Sequence, residues 1–309
     1  MQKTVQTYGL PHLPQAASRG AFGRPCRRLR AAHFITIAVA TATLSCTSTR
    51  NFLDPDGPRY LGSYAVAPAA IDHPAAPAGV RLRVVTFNIQ HARHVDRALE
   101  LLRSEPLRDP DLLLLQEMDA ASVERIAREL RLNYVYFPSA VHPSTGRLFG
   151  TSILSPWRLA EPRKIVLPHP PLTTRVRRAV TTAVMHRDGL RIRVYSVHLP
   201  APASIRDTAR REQVRIVLED AAKSSDPVII AGDFNDRNVG PWFRQAGFVW
   251  LTDRLPGTSR GLGFWWSFDH VFVRGLRAAP ETPAAGVVNS AGTSDHRPVW
   301  VRVERVPPE

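Results

Sequence analysis

Residues 228–235 read Val-Ile-Ile-Ala-Gly-Asp-Phe-Asn, an apolar run that ends in polar side chains. A short apolar run bounded by turn residues is typical of a buried strand. Because side chains alternate between the two faces of a strand, Asp233 and Asn235 share one face and Phe234 points to the other, toward a core. A carboxylate after a strand often serves only as a turn former. The role of residues 228–235 therefore has to be inferred from the rest of the sequence.

Similar apolar runs recur along the chain and alternate with helical patterns. The strand candidates are residues 82–89, 111–116, 151–155, 179–186, 190–198, 228–232, 268–273 and 298–303. Three amphipathic helices are predicted from apolar residues at helical spacing, in sets whose first members are Val95, Val123 and Val214, and Ser204-Ile-Arg-Asp207 precedes the third helix as a variant of the capping box. So many strands with so few helices favour two sheets packed on each other with helices outside, in one α/β domain of about 230 residues.

The composition argues against several classes of protein. The chain has 309 residues, of which 44% are hydrophobic, and this is enough apolar surface for a sizeable core. Wholesale disorder is therefore not expected. Both cysteines, Cys26 and Cys46, lie in the first 46 residues, so the rest of the chain has no disulfide framework.

The net charge of +14 is weak evidence for a nucleic-acid partner. Six of the excess positive charges lie in residues 1–45, which contain no acidic residue, and this leaves an excess of eight for the remainder. Only three of the 41 basic residues are lysines. Such a skew toward arginine also arises from a GC-rich coding sequence, so it does not by itself indicate phosphate binding.

The N-terminal segment has the pattern of an export signal. Arginines at 24–30 precede fifteen mostly small or apolar residues at 31–45, fewer than the roughly 20 that a membrane span needs. Leu44-Ser-Cys46 resembles the end of a bacterial lipoprotein signal. This predicts removal of residues 1–45, a lipid anchor to the membrane at Cys46, and a periplasmic or extracellular location. The alternative is ordinary secretory cleavage with Cys46 incidental. Residues 46–80 are predicted to be a tether or an irregular N-terminal edge.

Polar and ionisable residues recur at the ends of the predicted strands, where they are unexpected unless they line a site. They are Asn88, Gln116, Glu117, His198, Asp233, Asn235, Asp269, His270, Ser294, Asp295 and His296. The oxygen ligands among them suit Mg²⁺, Mn²⁺ or Ca²⁺, whereas a zinc site would be expected to recruit more imidazoles. Hydrolysis of a phosphate ester uses such a cation together with a histidine that is oriented by a carboxylate.

Seven motifs, in this order, are specific enough to indicate a family. They are TFNIQ (86–90), LLLLQE (112–117), GTSILS (150–155), SVHLP (196–200), GDFN (232–235), FDHVFV (268–273) and SDHRPV (294–299). The set resembles the endonuclease/exonuclease/phosphatase superfamily, the deoxyribonuclease-I-like metal-dependent hydrolases, over residues 81–304, with 305–309 as a short tail. The resemblance implies a four-layer α/β sandwich with two packed mixed β-sheets flanked by helices. It also implies divalent-metal phosphoesterase chemistry by in-line attack of water.

The resemblance implies roles for individual residues as well. The metal ligands would be Asn88, Glu117 and Asp295, and the catalytic set would be His198, Asp233, Asn235, Asp269 and His296. Asp233 would polarise the attacking water or hold metal, while Asn235 and His198 would contact the phosphate. Asp269 would orient His296, which would act either as the general base or as a phosphate contact. Either one metal or two would be bound.

Two stretches are not explained by the resemblance. Many nuclease members carry a glutamate that pairs with the histidine matched by His198, but this chain has Arg175-Val-Arg-Arg178 in that segment. These arginines either bind substrate phosphates or are merely solvated. The run Phe264-Trp-Trp266 either stacks on a base, or inserts among lipid headgroups, or packs in the core.

The function predicted from the sequence is hydrolysis of a phosphodiester in nucleic acid or in a phospholipid headgroup, with Mg²⁺ as the cofactor and Mn²⁺ or Ca²⁺ as alternatives. The alternative activity is that of a phosphomonoesterase acting on an inositol-phosphate-like or other small phosphate ester. A catalytically silent module that binds a phosphate or a partner on the same fold is the alternative outside the enzymes. No protein partner is predicted.

Overall fold

The computed structural model describes residues 49–65, 80–261 and 263–306. The predicted export signal and the predicted lipid anchor at Cys46 lie outside these residues. Among the described residues, two β-sheets pack together and helices are few, which confirms the predicted fold class. No helix in this part of the chain is long and apolar enough to cross a membrane.

Ten strands in the described residues are six to nine residues long and carry the core, and the other seven have two or three residues. In chain order they are β1 (Arg50–Asn51), β2 (Tyr60–Gly62), β3 (Arg81–Asn88), β4 (Leu112–Met118), β5 (Asn133–Val141), β6 (Leu148–Ser155), β7 (Arg158–Val166), β8 (Ala179–Arg187), β9 (Leu190–His198), β10 (Val228–Asp233), β11 (Val249–Trp250), β12 (Ser259–Gly261), β13 (Phe264–Trp266), β14 (Asp269–Arg274), β15 (Leu276–Ala278), β16 (Ala285–Val287) and β17 (Val299–Arg305). Each of the eight strands expected from the sequence is present, with ends shifted by a few residues at most.

The strands form two mixed sheets and one separate hairpin. The first sheet has the order β1-β5-β6-β4-β3-β17-β15, with β2 paired to β5 and β16 paired to β17. The second sheet has the order β11-β14-β10-β9-β8-β7, and β12 pairs with β13 alone. Most neighbours are antiparallel, but β3 runs parallel to β4 and β9 runs parallel to β10.

The two sheets pack face to face, and helices cover their outer faces. Apolar side chains from the inner faces of both sheets share one buried cluster. Helices α1 (Val95–Leu102) and α2 (Ala120–Glu129) pack on the outer face of the first sheet. Helices α3 (Asp207–Ala222) and α4 (Gly240–Gln245) pack on the outer face of the second. The order helix, sheet, sheet, helix is the four-layer sandwich that the resemblance implied.

Several details differ from what the sequence predicts. Nine of the strands in the described residues were not predicted, among them the nine-residue strands β5 and β7. Residues 46–80 were predicted to be a tether or an irregular edge, and β1 and β2 from this segment pair with β5 at the edge of the first sheet. Helix α4 was not predicted, because six residues give too short a periodic pattern. The predicted cap by Ser204 is wrong: α3 begins at Asp207 without a side-chain cap, and the Ser204 hydroxyl donates to the carbonyl of Ala201, 2.6 Å away.

The parallel pairs explain where the polar strand ends collect. Parallel neighbours end on the same side of a sheet, so β3 and β4 bring Asn88 opposite Gln116. In the second sheet, β9 and β10 end together in the same way, and the antiparallel β14 begins where β10 ends. The ends of both sheets meet at one edge of the sandwich, and we refer to it as the polar edge.

Candidate active site

In the second sheet, His198 and Asp269 lie on either side of Asp233. The close approach of β9 to β10 requires Gly232, because its φ is +147° and a Cβ there would lie 1.9 Å from the carbonyl oxygen of Val197. None of the three ionisable side chains is more than 2% exposed. The backbone of this sheet therefore buries two carboxylates and an imidazole side by side.

His296 lies against both of these carboxylates. Its Nδ1 is 2.8 Å from Oδ2 of Asp269, and its Nε2 is 3.6 Å from Oδ2 of Asp233. Burial alone would lower the pKa of His296, but the charges of Asp269 and Asp233 outweigh burial and raise it to about 10. Burial raises the pKa of Asp233 to about 7, and the charge of His296 opposes this. His296 is therefore protonated at neutral pH.

Two asparagine side chains hold the carboxylate of Asp233. Nδ2 of Asn88 donates to Oδ2 of Asp233 over 2.9 Å, and Nδ2 of Asn235 donates to the same oxygen over 3.1 Å. Asn235 also donates to the carbonyl of Leu199 over 3.0 Å, which occupies its second N–H. A contact from Asn235 to a phosphate would therefore replace one of these bonds. The Oδ1 of Asn88 accepts from the backbone N–H of Gln90.

Glu117 reaches the polar edge through a β-bulge in β4. The pairing of β4 with β6 shifts between Leu115 and Met118, and Glu117 has a φ of +60°. Bulges of this kind re-aim a side chain next to functional sites. The preceding Gln116 stays buried between the sheets, where its Nε2 donates to the hydroxyl of Ser196 over 3.3 Å.

The carboxylate of Glu117 has two histidines within ion-pair distance among the described residues, and no arginine or lysine there. Its Oε2 is 3.4 Å from Nε2 of His91, and its Oε1 is 3.8 Å from Nε2 of His198. The backbone N–H of His91 also donates to Oε2, over 3.0 Å. An anionic oxygen at this edge, with no arginine or lysine within ion-pair distance, fits a divalent cation.

A second group of side chains at the polar edge has the spacing of metal ligands. Asp233, Asp269 and His296 each offer one possible ligand atom, and these three atoms lie within 4.8 Å of one another. The Oδ1 of Asp269 is buried and has no hydrogen-bond partner among the described residues. The predicted ligand Asp295 is exposed, and its Oδ1 accepts from the hydroxyl of Ser294 over 3.3 Å. Two of the three ligand atoms in this second group come from carboxylates, which suit a hard divalent cation.

Three side chains that the sequence analysis did not select surround His198 on its other side. The ring of Phe149 lies 5.6 Å from that of His198, 5.5 Å from His91 and 5.0 Å from His142. The Cζ of Arg178 lies 4.8 Å from the centre of the Phe149 ring. We refer to these five residues as the Phe149 cluster. Phe149 directly precedes one of the quoted motifs and His91 directly follows another, and these positions were the only hint that the sequence offered.

The Phe149 cluster carries polar atoms without partners. Nε and Nη1 of Arg178 and Nδ1 of both His198 and His91 are buried, with no hydrogen-bond partner in the described structure. Burial and the charge of Arg178 hold the pKa of His198 well below its usual range. Burial, with the nearby His91 and Arg178, lowers the pKa of His142 to about 4. This side of the site therefore combines one arginine with imidazoles whose environment disfavours the charged form.

His270, next to Asp269 in β14, lies outside the site. It is fully buried on the outer face of the second sheet, where Nε1 of Trp250 donates to its Nδ1 over 3.3 Å. The rings of Phe234 and Phe272 each lie 5.9 Å from the imidazole. Burial lowers its pKa to about 4. Alternation along β14 turns this side chain to the face opposite Asp269.

The aromatic run forms β13, the second strand of the separate hairpin. Phe264, Trp265 and Trp266 are 68%, 40% and 46% exposed. Packing in the core is therefore wrong for this run, because the hairpin belongs to neither sheet and has no sheet face to bury against. Ser259 of β12 forms a β-bridge with His296, so the exposed aromatic side chains border the polar edge.

Comparisons with known proteins agree with this architecture. The model of the Endonuclease/Exonuclease/phosphatase family matches residues 85–296. No curated protein matches the chain. An endonuclease/exonuclease/phosphatase from Beutenbergia cavernae DSM 12333 is 22% identical with a TM-score of 0.57, over 73% of this chain and 72% of that one.

Two further solved structures are similar over nearly their whole length. TDP2 of D. rerio, humanized by 14 mutations, is 19% identical with a TM-score of 0.58, over 72% of this chain and 99% of that one. A mannosyl-6-phosphatase of Bacteroides thetaiotaomicron is 18% identical with a TM-score of 0.52, over 73% of this chain and 100% of that one. At such identities these structures show a shared fold.

Proposed function

This chain is a member of the endonuclease/exonuclease/phosphatase family, and we propose that it hydrolyses phosphate esters at the polar edge. The observation that carries the proposal is an unbroken series of contacts through five side chains. From Asp269 the series runs to His296, Asp233, His198 and Glu117, with successive distances of 2.8, 3.6, 3.5 and 3.8 Å. Acids and imidazoles in contact are the groups that activation of water at phosphorus needs.

The geometry suggests a different task for each acid and base. Asp269 accepts from Nδ1 of His296 and so keeps Nε2 of that ring turned into the site. Because His296 is protonated at neutral pH, we assign it the phosphate contact rather than the general base. Asp233 is held by two amide groups and has a pKa near 7, so it is suited to accept a proton from the attacking water.

We propose that Glu117, Asn88 and Asp295 hold the divalent cation, with Mg²⁺ as the first candidate and Mn²⁺ or Ca²⁺ as alternatives. When bound, such a cation polarises a phosphoryl oxygen and neutralises charge on the leaving oxygen. Glu117 suits this role because no arginine or lysine among the described residues lies within ion-pair distance of its carboxylate. His198 lies between Glu117 and Asp233 and would donate to a phosphoryl oxygen.

The proposed substrate is a phosphodiester, in nucleic acid or in a phospholipid headgroup. The exposed aromatic hairpin beside His296 supports this, because such rings stack on bases or insert among headgroups. One similar structure, D. rerio TDP2, is a complex with a single-strand DNA product. A phosphomonoester is the second candidate, since another similar structure is a mannosyl-6-phosphatase.

An assay panel tests the proposal. Plasmid DNA, vesicles containing sphingomyelin or phosphoinositide, and p-nitrophenyl phosphate are incubated with the protein and Mg²⁺, Mn²⁺ or EDTA. We expect turnover of at least one substrate with the cation and none with EDTA. Glu117→Ala should lose turnover and weaken cation binding in calorimetry, while the exposed Glu100→Ala on α1 serves as the matched control. No turnover of any substrate with either metal would favour the silent binding module.

A further inference from the structure

The two most exposed large apolar side chains among the described residues lie at the polar edge. Leu172 is 73% exposed and Phe264 is 68% exposed. Leu172 stands in the segment that leads into β8, and the antiparallel pairing of β8 with β9 places this segment beside His198. Phe264 stands in the hairpin that is bridged to His296. Neither side chain takes part in the proposed chemistry, and exposed apolar groups collected on one side of a protein mark an interaction surface.

Leu172 and Phe264 stand on opposite sides of the site. In the second sheet, β14 and β8 are the outer neighbours of β10 and β9, whose last residues are Asp233 and His198. Phe264 precedes β14 along the chain, and Leu172 precedes β8. A surface that contacts both apolar side chains therefore also lies over the site.

The hairpin of β12 and β13 suits an apolar medium, because polar groups within it are paired with each other. Its two strands pair residue by residue from Ser259 opposite Trp266 to Gly261 opposite Phe264. The indole Nε1 of Trp266 donates to the carbonyl of Gly261 over 3.2 Å. Unpaired N–H groups would make insertion into lipid costly, because lipid offers no water to bond them.

The aromatic rings of the hairpin are less suited to stacking on bases. The guanidinium of Arg297 covers one face of Trp265, with its Cζ 3.4 Å from the ring centre. The ring of Phe268 lies parallel to that of Trp266 at 6.1 Å. A base stacks on a free ring face, whereas insertion among lipids uses any exposed part of a side chain. Leu172 has no ring at all, so a lipid surface accounts for it and a base does not.

The chain enters the described domain at the same edge. Strand β1 pairs with the end of β5, at Val141. The hydroxyl of Thr49, which precedes β1, donates to the carbonyl of Thr174 over 2.7 Å, two residues after Leu172. The predicted lipid attachment point, Cys46, precedes Thr49 by three residues, which span at most about 11 Å. A lipid attached there would hold the polar edge at the membrane surface.

We propose that the polar edge docks on a phospholipid membrane, with Leu172 and Phe264 inserted among the headgroups on the two sides of the site. The inference rests on the proposed function, because it makes the phosphodiester of a phospholipid headgroup the substrate. Arg175 follows Leu172 by three residues, and Arg260 pairs with Trp265 in the hairpin. Both arginines are exposed and suit an anionic lipid surface.

The variants for the test separate this surface from the predicted lipid anchor. All proteins are full-length and carry Cys46→Ser, so that no lipid can be attached and differences between variants report on the polar edge. Leu172→Ser and Phe264→Ser remove the two apolar side chains. Leu61→Ser is the matched control, because Leu61 is 49% exposed but lies in β2, opposite Val135 near the other end of β5.

The first measurement is co-sedimentation with vesicles of equal parts phosphatidylcholine and phosphatidylglycerol. We expect Leu172→Ser and Phe264→Ser each to weaken vesicle binding by about tenfold, because each loses the burial of one large apolar side chain. Leu61→Ser should bind as tightly as the parent protein. No binding by the parent protein, or equal binding by all four proteins, would overturn the inference.

Tryptophan fluorescence locates the inserted part of the protein. Trp265 and Trp266 are the exposed tryptophans among the six of the chain. Vesicles that contain brominated phosphatidylcholine should quench the fluorescence of the parent protein. Replacing both residues by leucine should remove most of this quenching and retain vesicle binding, since leucine also inserts into lipid. Vesicle binding without quenching would show contact with the headgroup charges only and overturn the inference.

A single-stranded oligonucleotide separates a lipid surface from nucleic acid. If the parent protein binds the oligonucleotide but not the vesicles, and Phe264→Ser weakens that binding, the polar edge docks on nucleic acid and the inference is overturned. The two proposals fail separately. Vesicle binding that depends on Leu172 and Phe264, without turnover of any ester, overturns the function alone. Turnover of bis(p-nitrophenyl) phosphate by a protein that does not bind vesicles overturns the inference alone.

Discussion

The pKa values of the two histidines of the site, His296 and His198, are shifted in opposite directions, although both imidazoles lie beside Asp233. Both are buried, and Nε2 of each lies within 3.6 Å of Oδ2 of Asp233. The pKa of His296 is raised to about 10, whereas that of His198 is lowered well below its usual range. Burial lowers both, so the difference comes from their other neighbours, which are Asp269 for His296 and Arg178 for His198.

This difference shows how one residue type supplies two functions within a few ångströms. A histidine that is held protonated donates to an anion and does not act as a base at neutral pH. A histidine that is held neutral still donates one N–H but brings no charge. Active sites commonly assign different roles to neighbouring titratable groups in this way, because different surroundings shift their pKa values apart.

Removing His296 should have the largest effect. His296→Ala should lower kcat/KM by about 10³-fold or more, because it removes the charged contact to the phosphate. Cation binding in calorimetry should be largely retained, and this distinguishes the variant from Glu117→Ala. If His296→Ala keeps the wild-type rate, the assignment of the site is wrong.

Removing the carboxylate partner should make His296 more like His198. Asp269→Asn should lower kcat/KM by about 100-fold and move the loss of activity at high pH downward by about 1 to 3 pH units. The sign follows because the charge of Asp269 raises the pKa of His296, so its removal lets the imidazolium lose its proton at lower pH. A pH–rate profile from pH 6 to 10 measures this. An unchanged alkaline limb would contradict the idea that His296 acts in its protonated form.

Removing His198 should have a smaller effect. His198→Ala should lower kcat/KM by about tenfold, the value of one hydrogen bond from a neutral donor, without moving the pH–rate profile. Steady-state kinetics at several pH values provide the test. A loss as large as that of His296→Ala would mean that the two histidines share the chemistry equally, and the comparison would then fail.

Substituting His270 should have the smallest effect on activity. Because this histidine is buried outside the site, the substitution tests the effect of burial on stability without affecting catalysis. His270→Gln should change kcat/KM by less than about twofold. The lowered pKa of His270 means that the unfolded chain binds the proton more tightly, so stability is lost as pH falls from about 6.5 to 4, by about 3 kcal/mol. Urea unfolding at pH 7 and pH 4.5, with EDTA, should show this loss in wild type and much less of it in the variant. Equal losses in both proteins would contradict the buried, neutral state of His270.

Much of the fold was predictable because its signals are local. Strands such as β10 and β4 are uninterrupted apolar runs, and the three longer helices have clear periodicity. The strand-end polar residues could be grouped because such side chains are unexpected at the ends of apolar strands unless they line a site. Short strands such as β1 and β2 were missed because two or three residues carry no periodic pattern. The longer strands β5 and β7 were missed because each contains a proline at a β-bulge, and a proline in a run argues against a strand.

The parts that were not predictable depend on contacts between distant segments. Alternation along β4 does not show that a bulge turns Glu117 to the polar edge, since the bulge is set by the pairing with β6. His142 and Arg178 lie 36 residues apart and meet only because both pack on Phe149. Whether Trp265 is exposed was left open for a related reason: alternation predicts faces only where a strand has a sheet to face.

The hairpin of β12 and β13 has a consequence for how this protein can change during evolution. Its connections to the polar edge run largely through the backbone: the N–H of Arg260 donates to the carbonyl of Asp295, and the N–H of Arg297 donates to the carbonyl of Thr258. Backbone bonds survive most substitutions, so the aromatic side chains can be exchanged without displacing His296. Selection can therefore retarget the hairpin to new substrates while the reaction chemistry is inherited intact.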